Sequence, residues 1–378
     1  MQFNILQYLP ENAKLLADID LNDKLFGTER LIDLCNKFNI SLKNLSRYRN
    51  RTRALPLSFF LAIVKYRKIK LNELQNKIII KINNCGGYLK IGPILEINSN
   101  WVYISELLKG DGHITRNFWY INFTNKEDSL IQTIRDFFLS LGLSEKRIDI
   151  REREGIKFMT IRSYLLAYLF YRILGVTPGK KSKIIDINDF VTKDLEFGKA
   201  AVRGAFDAEG SVSFIASRRV SISSISFGWI KKLKLILEKL RIKSSIFEDR
   251  SRRENAIYVL VIYGIINIKR FYDEIKPVHQ KRKEKLQEII NSYWKNPEYI
   301  FHKDILLSIK MGINRKKDIA SKLKIKLITA ANNISKLRNK GYITPKEKIF
   351  SNNGSFFKYQ ITKKGEEYLE KELIPFFD

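Results

Sequence analysis

Two stretches decide how this chain reads: Tyr103-Ile-Ser-Glu-Leu-Leu-Lys-Gly-Asp-Gly112 and Ala201-Val-Arg-Gly-Ala-Phe-Asp-Ala-Glu-Gly210. Each is a short apolar run ending in a small residue, a carboxylate and a glycine. The run predicts a helix, and the glycine would let the chain leave its last turn in a left-handed conformation. Asp111 and Glu209 then lie at the negative ends of two helix dipoles, where a carboxylate is unfavourable unless a cation is near. A single Asp-Gly or Glu-Gly is only a turn signal. Two in matched surroundings are better explained by a metal ion than by stability.

The surroundings do match. After Asp111 come a strand at 119–124 and a helix carrying Ile131, Ile134, Phe137, Phe138 and Leu141. After Glu209 come strands at 212–215 and 220–225 and a helix carrying Ile230, Leu233, Leu237 and Leu240. The offsets agree, 141 − 111 = 30 and 240 − 209 = 31. Basic clusters follow, Lys180-Lys181 and Lys281-Arg282-Lys283, at 181 − 111 = 70 and 281 − 209 = 72. A duplication that repeats carboxylate, strand, helix and lysine in order implies two half-sites about a pseudo-dyad, in halves of about 101–185 and 198–295.

These strings resemble the two motifs of the LAGLIDADG (dodecapeptide) homing endonuclease family, over roughly residues 88–295. The string GVTPGKKSKII (175–185) fits the same pattern. The resemblance implies an α+β fold with a duplicated αββαββα core, its two motif helices packed on the pseudo-dyad. It also implies that Asp111 and Glu209 bind Mg²⁺ (or Mn²⁺) beside the scissile phosphates, with the carbonyls of Gly110 and Ala208 close by. Two hard carboxylates suit Mg²⁺, which keeps waters and takes phosphate oxygens as further ligands. Lys181 and Lys281, at matched offsets, are the candidates to steady charge on the phosphate, with Lys180 and Lys283 as alternatives. The plain alternative for each is solvated surface charge.

The curved sheet of such a core would lie in the major groove of DNA. Its strands and loops offer Arg116, Asn122, Arg151, Arg153, Arg218, Arg219, Arg250, Arg252 and Arg253 to phosphates and base edges. A one-residue register error would turn every strand residue to the other face. Three positions depart from the family pattern: Glu106 where helices touch, Lys109 in place of an acid, and Arg203 in the second motif. They imply either a looser helix crossing or a shifted register.

The flanks read as DNA-binding units of two types. Residues 1–76 look all-α: a helix at 29–38, a turn at 39–41, a basic helix at 42–50 and a third helix from Pro56. Lys43, Arg47, Arg49, Arg51 and Arg53 crowd the second helix and its exit. The layout resembles a small phage-repressor helix-turn-helix, the alternative being a three-helix cap with a solvated basic face. Residues 77–100 alternate apolar and polar, predicting a hairpin that enters a central domain of 77–295. Over 299–378, the string KDIASKLKIKLITAANNISKLRNKGYI (317–343), followed by two strands turning at 352–354, resembles a winged helix. Winged helices also bind proteins.

The whole chain sets the partner class. Its 69 Lys+Arg against 40 Asp+Glu give a formal charge of +29 over 378 residues. That excess asks for a polyanion, nucleic acid first and an acidic membrane surface second. An AT-rich genome would raise lysine, but it does not explain why acids fail to follow. No apolar run approaches the ~20 residues of a membrane span, no N-terminal signal pattern occurs, and two cysteines with three histidines form no zinc pattern. The chain starts Met-Gln and ends Phe-Phe-Asp, without splicing-type terminal residues, so a free-standing protein is expected. The expectation is therefore a cytoplasmic protein (prokaryotic cytosol or nucleoid), monomeric because its half-sites are fused, that cuts double-stranded DNA at a specific site. The alternatives are a transcription regulator that only binds DNA through the same core, and an RNA maturase that binds structured RNA.

Overall fold

The computed structural model describes residues 1–82, 92–179, 184–214, 218–250, 256–295, 301–351 and 354–373. The chain forms two compact units, Met1–Leu286 and Gln287–Asp378.

The first unit begins with β1 (Gln2–Asn4), β2 (Ala13–Ala17), α1 (Ile19–Phe26), α2 (Leu31–Phe38), α3 (Leu42–Arg49), β3 (Leu55–Pro56) and α4 (Leu57–Tyr66). β4 (Ile78–Ile82) and β5 (Ile94–Glu96) follow. Asp18 caps α1 by accepting the Leu21 N–H at 2.8 Å. Asn39, in a left-handed conformation, ends α2 and opens the tight turn into α3.

This segment is not all-α. β2 sits between β3 and β4 in a three-stranded sheet, with Ala13, Leu15 and Ala17 buried against the helices. Of the hairpin expected within 77–100, β4 is the first arm, and the second, at 88–91, lies outside the described residues. β4 runs antiparallel to β2, and β5 antiparallel to β1. Alternation marks a strand but says nothing about its partner, and here both partners lie far back in the chain.

The duplicated core follows. Its first half is α5 (Ser99–Gly110), β6 (Gly112–Ile114), β7 (Ile121–Asn125), α6 (Asp128–Ser140), β8 (Ile148–Arg153), β9 (Ile156–Ile161) and α7 (Tyr164–Leu174). A connection containing α8 (Asp189–Lys193) leads to the second half: α9 (Leu195–Glu209), β10 (Gly210–Ser213), β11 (Arg219–Ser224), α10 (Phe227–Lys239), β12 (Ser244–Asp249), β13 (Ile257–Tyr263) and α11 (Ile265–Ile275). Both halves run αββαββα. Their sheets have the same antiparallel order, β6-β7-β9-β8 and β10-β11-β13-β12.

Pleating gives each sheet two chemically distinct faces. In the first, Ile121, Phe123, Met159 and Ile161 are buried, leaving Asn122, Thr124, Phe158 and Thr160 on the other side. In the second, Val220, Ile222, Leu260 and Ile262 are buried, while Arg219, Ser221 and Ser223 share the opposite face. α12 (Gln280–Lys295) comes next.

The second unit contains α13 (Phe301–Lys310), α14 (Lys316–Lys322), α15 (Leu327–Asn339), the hairpin β14 (Ile343–Ser351) and β15 (Gly354–Ile361), and α16 (Lys363–Leu373). A single bridge joins Arg315 to Lys358. Ile305, Leu306, Ile309, Ile319, Ile334, Leu337, Ile343, Tyr359 and Leu369 form its core. Among the described residues no helix is long and apolar enough to cross a membrane.

Candidate active site and nucleic-acid interface

α5 and α9 pack along their length, and the contact is built from equivalent positions of the two repeats. Subtracting 98 converts one motif to the other, so Gly204 corresponds to Glu106, Ala208 to Gly110 and Glu209 to Asp111. A Cβ placed on Gly204 would meet the Tyr103 carbonyl oxygen at 2.5 Å and Glu106 Cβ at 2.8 Å. One placed on Gly110 would meet Ala208 Cβ at 2.4 Å and Glu209 Cγ at 3.2 Å. At each meeting point one repeat withdraws its side chain so that the other can keep its own. The crossing is therefore close. Glu106, which suggested a looser one, is accommodated because its counterpart is glycine.

The other departures are equally well housed. Glu106 Oε1 accepts from Lys109 Nζ at 2.6 Å and its Oε2 from the Trp229 indole N–H at 2.7 Å. Arg203 Nε donates to the last carbonyl of α11, Ile275, at 2.6 Å. Asp207, the counterpart of Lys109, is wholly buried and accepts from the Tyr103 hydroxyl at 2.9 Å. It also accepts from the backbone N–H groups of Val278 and His279, at 2.9 and 3.1 Å. Burial pushes its carboxyl above the usual range, and these donors pull it back.

The motif glycines serve a purpose other than the expected one. Neither Gly112 nor Gly210 adopts a positive φ; Gly210 is extended at φ −77° and ψ 155°. They are needed for space. A Cβ at 112 would lie 2.6 Å from Leu108 Cα, and one at 210 would lie 2.3 Å from the Phe206 carbonyl.

Asp111 caps the end of α5, where its Oδ2 accepts from Asn125 Nδ2 at 2.8 Å. Glu209 is the last residue of α9, its side chain against Gly110. The two carboxylates therefore stand at adjoining helix feet. Arg282 joins them there. Its guanidinium donates to the carbonyls of Phe206, at 2.7 Å, Asp207 and Ala208, at 3.0 Å. Burial lowers its pKa, opposed by the charges of Asp207, Asp111, Glu209 and Glu127. The arginine thus places a cation at the dipole end of α9.

Sequence spacing pointed to Lys281 instead. Lys281 is exposed, and Arg282 is the partly buried neighbour on α12. Adjacent helical residues point about 100° apart, so only one of them can turn toward α9. Counted from the preceding helix end, 282 − 275 = 7 matches 181 − 174 = 7. That count would have selected Arg282. Lys181 itself, with Lys180, lies outside the described residues.

Nearby, His279 Nδ1 is 3.3 Å from Glu127 Oε2 but out of line for a hydrogen bond. Burial, with Arg282 and two lysines beside it, pushes its pKa down to about 4.

Among the described residues no three His, Cys, Asp or Glu side chains cluster as a metal cage. Asp111 and Glu209 instead make an open pair of hard oxygen donors. The side-chain-free cradle at Gly110 leaves room for the Glu209 carboxylate beside the residue preceding Asp111. That donor set fits a small hard cation whose other ligands are waters and phosphate oxygens. The Gly110 carbonyl lies at the same foot. The Ala208 carbonyl is engaged by Arg282.

Residues 196–276 match the model of the LAGLIDADG-like domain. The matched stretch coincides with the second repeat of the duplicated core. Among curated proteins it is 27% identical over 195 residues to elongation factor 2 of Methanopyrus kandleri, a match covering 50% of this chain and 14% of that protein. It is also 27% identical over 320 residues to the tRNA-splicing ligase RtcB of Methanocaldococcus jannaschii, covering 72% and 31%. The helicase Hel308 of the same organism matches at 27% over 143 residues, covering 35% and 12%. The chain thus spans less than a third of each relative's length. Similar solved structures include the homing endonuclease I-DmoI in complex with DNA and Mn, at TM-score 0.36 and 19% identity, covering 47% of this chain and 96% of that one. The N-terminal LAGLIDADG domain of DUF199/WhiA is similar at TM-score 0.34 and 16% identity, covering 52% and 90%.

The open faces of the two sheets of the duplicated core hold several of the residues expected to meet nucleic acid. Asn122, Arg151 and Arg153 share the first open face by register. Thr160 donates to Asn122 at 3.0 Å, and Arg151 pairs with Asp149 at 3.0 Å. Arg153 lies 3.6 Å from Glu154. A groove of about 620 Å³ there is lined by Tyr120, Arg151, Arg153, Phe158, Thr160 and Arg162, among others. On the second sheet Arg219 lies on the open face. Arg218 precedes β11, over the Phe214 ring, and Arg250 follows β12, paired with Glu248. Arg116 sits in the β6–β7 loop against Gly179. Arg252 and Arg253 lie outside the described residues.

In the N-terminal segment, Arg47 and Arg53 are exposed, Arg53 donating to Asn44 at 2.9 Å. Arg51 is turned inward, and its Nε donates to the Ala17 carbonyl at 3.0 Å. It holds α3 to β2.

Proposed function

We propose that this protein is a site-specific double-strand DNA endonuclease of the homing type, hydrolysing phosphodiester bonds with a divalent metal. The observation that carries the reading is the pairing of Asp111 and Glu209 at adjoining helix feet, with Arg282 near enough to feel both charges. Mg²⁺ held by these two carboxylates and the Gly110 carbonyl would supply an activated water and charge neutralisation at the leaving oxygen.

The chain's own groups do the rest. Asn125 fixes the rotamer of Asp111, so the carboxylate is aimed before substrate arrives. Arg282 offsets the mutual repulsion of the two acids and keeps a positive guanidinium where phosphate charge builds up. The open sheet faces bring arginine, serine and asparagine to base edges and phosphates. Segments 1–76 and 299–378, read as helix-turn-helix-like and winged-helix-like, would lengthen the DNA footprint around a core of 77–295. The curated relatives bear names of three unrelated activities, and each shares only a minor part of its length with this chain. That supports a transplantable module carried independently of its host's function.

One observation favours a DNA-binding regulator instead. Arg282 occupies the Ala208 carbonyl, removing one oxygen from the foot. Cleavage of DNA drawn from the gene's own flanking locus, with Mg²⁺ and with EDTA, decides between the two. Discrete Mg²⁺-dependent double-strand cuts, lost in Asp111→Asn and in Glu209→Gln, are the expected result. Site-specific binding with no cutting by any version would leave the regulator standing.

A further inference from the structure

The β6–β7 connection is held in one shape from three sides. Thr115 N–H donates to the Tyr120 carbonyl at 3.0 Å, Phe118 N–H to the Thr115 carbonyl at 2.8 Å, and Tyr120 N–H to Thr115 Oγ1 at 3.1 Å. Gly179, at φ +75°, donates its N–H to the Ile114 carbonyl at 2.9 Å, and Arg116 lies across its missing side chain. The third anchor is Phe118. Its ring sits against three tyrosines of α7, with centroids 5.8 Å from Tyr164, 5.2 Å from Tyr168 and 5.4 Å from Tyr171. Tyr164 and Tyr168 stack at 5.9 Å.

To reach them, Phe118 takes φ +59°, a left-handed conformation that bulky side chains rarely adopt. Such strain persists only where its surroundings over-determine it. The tyrosine contacts are what over-determine it here. Meanwhile the residues flanking Phe118 face water: Arg116 and Asn117 are exposed, and the Trp119 side chain is 41% exposed. A guanidinium, an amide and an indole presented together, with none of them buried in the core, suit the sugar-phosphate edge and bases of DNA.

We propose that Phe118, seated on the α7 tyrosines, is a positioning residue that pre-orders this loop to present Arg116, Asn117 and Trp119 to one half-site of the DNA target. The proposal rests on the DNA endonuclease reading. A loop already ordered in the free protein avoids the ordering cost that a mobile one meets on binding. Freeing it should weaken binding without changing how many phosphates are neutralised.

The test uses the full chain carrying Phe118→Ala, Phe118→Gly or Tyr168→Ala, beside the conservative Phe118→Tyr. Glycine tolerates the left-handed φ, so Phe118→Gly removes the ring without backbone strain. Tyr168→Ala leaves the loop sequence intact. Acrylamide quenching of Trp119 emission, read as the difference from Trp119→Phe, reports loop order without any DNA. Affinity is measured over a salt series, and cleavage against targets with single base substitutions in each half-site.

The expected result is raised quenching in the three clasp-breaking variants, with wild-type behaviour in Phe118→Tyr. Affinity should fall roughly tenfold at an unchanged salt slope, since that slope counts phosphate contacts. Base discrimination should relax in one half-site only. Unchanged quenching, or discrimination lost equally in both half-sites, would overturn the proposal. If wild type shows no site-specific binding, the endonuclease reading fails and the DNA role fails with it. Quenching then still shows whether the clasp orders the loop.

Discussion

Glu106 and Lys109, one turn apart on α5, form an ion pair in the interior, 2.6 Å from Oε1 to Nζ, with each side chain only 1% exposed. Two charges so placed gain strong mutual attraction, but each has lost its hydration, so the pair is close to neutral against an apolar replacement. Breaking it is another matter. Lys109→Met, which leaves the buried Glu106 without its counter-charge, should cost about 3–5 kcal/mol. Adding Glu106→Gln should recover most of that loss, because the amide oxygen still accepts from Trp229. Urea midpoints of the two variants check this. A double variant no better than the single would show that the pair's attraction contributes net stability.

The glycine at 204 admits the Glu106 side chain and the Tyr103 carbonyl at distances no real Cβ tolerates. Gly204→Ala must therefore separate α5 from α9 or displace their backbones, at about 1–3 kcal/mol or more. Gly155→Ala is the control, since nothing lies within 4 Å of its added methyl and only its φ of +71° is strained. Thermal melts should show the larger drop for Gly204→Ala. Because the crossing sets the spacing of Asp111 and Glu209, cleavage should fall further than stability alone explains.

Arg282 binds three carbonyls at the foot of α9 and offsets two carboxylates, a set of contacts one ammonium cannot reproduce. Arg282→Gln should slow single-turnover cleavage by about 10²-fold or more while leaving site-specific affinity within tenfold. Arg282→Lys should recover only part of the rate. Wild-type rates in Arg282→Gln, with Lys281→Gln inactive, would return the role to the lysine suggested by spacing.

His279 supplies a pH dependence whose sign can be worked out. Its pKa is lowered to about 4 in the fold, against an unperturbed value of about 6.5. The unfolded chain therefore takes up the proton first as pH falls. The stability that depends on a neutral His279 is whole above about pH 6.5 and drains away between there and pH 4. Glu127 Oε2 faces the ring at 3.3 Å, Arg282, Lys281 and Lys285 lie beside it, and Asp207 holds its backbone N–H. His279→Gln removes the ring and leaves those groups in place. Between pH 7.5 and 5, wild type should lose more of its urea midpoint than His279→Gln does. Parallel pH profiles would show that the imidazole contributes nothing.

The duplicated core was legible because its chemistry recurs at fixed offsets, and Asp111 and Glu209 stand where the motif strings put them. The offset counted from the two carboxylates could not choose between Lys281 and Arg282. An offset between distant residues fixes distance along the chain, not the rotational phase of the helix that carries the side chain. β6 escaped notice because Gly112–Ile114 is only three residues long. β2 was hidden for a different reason: its main partner, β4, is some sixty residues away, and nothing local to Ala13–Ala17 announces the pairing. Glu106 looked like a misfit because its justification, Gly204, sits in the other repeat.

That last relationship has an evolutionary consequence. At both touching points of α5 and α9 the two repeats have become lock and key: Glu106 needs Gly204, and Gly110 needs Ala208 to be no larger than it is. Two copies of the first repeat would drive glutamate into glutamate. Two copies of the second would leave a void at one point and crowd methyl against methyl at the other. Cutting the gene between the repeats would yield no piece able to form the same crossing with a copy of itself. Each repeat is free to drift in sequence elsewhere, and neither can leave its sibling.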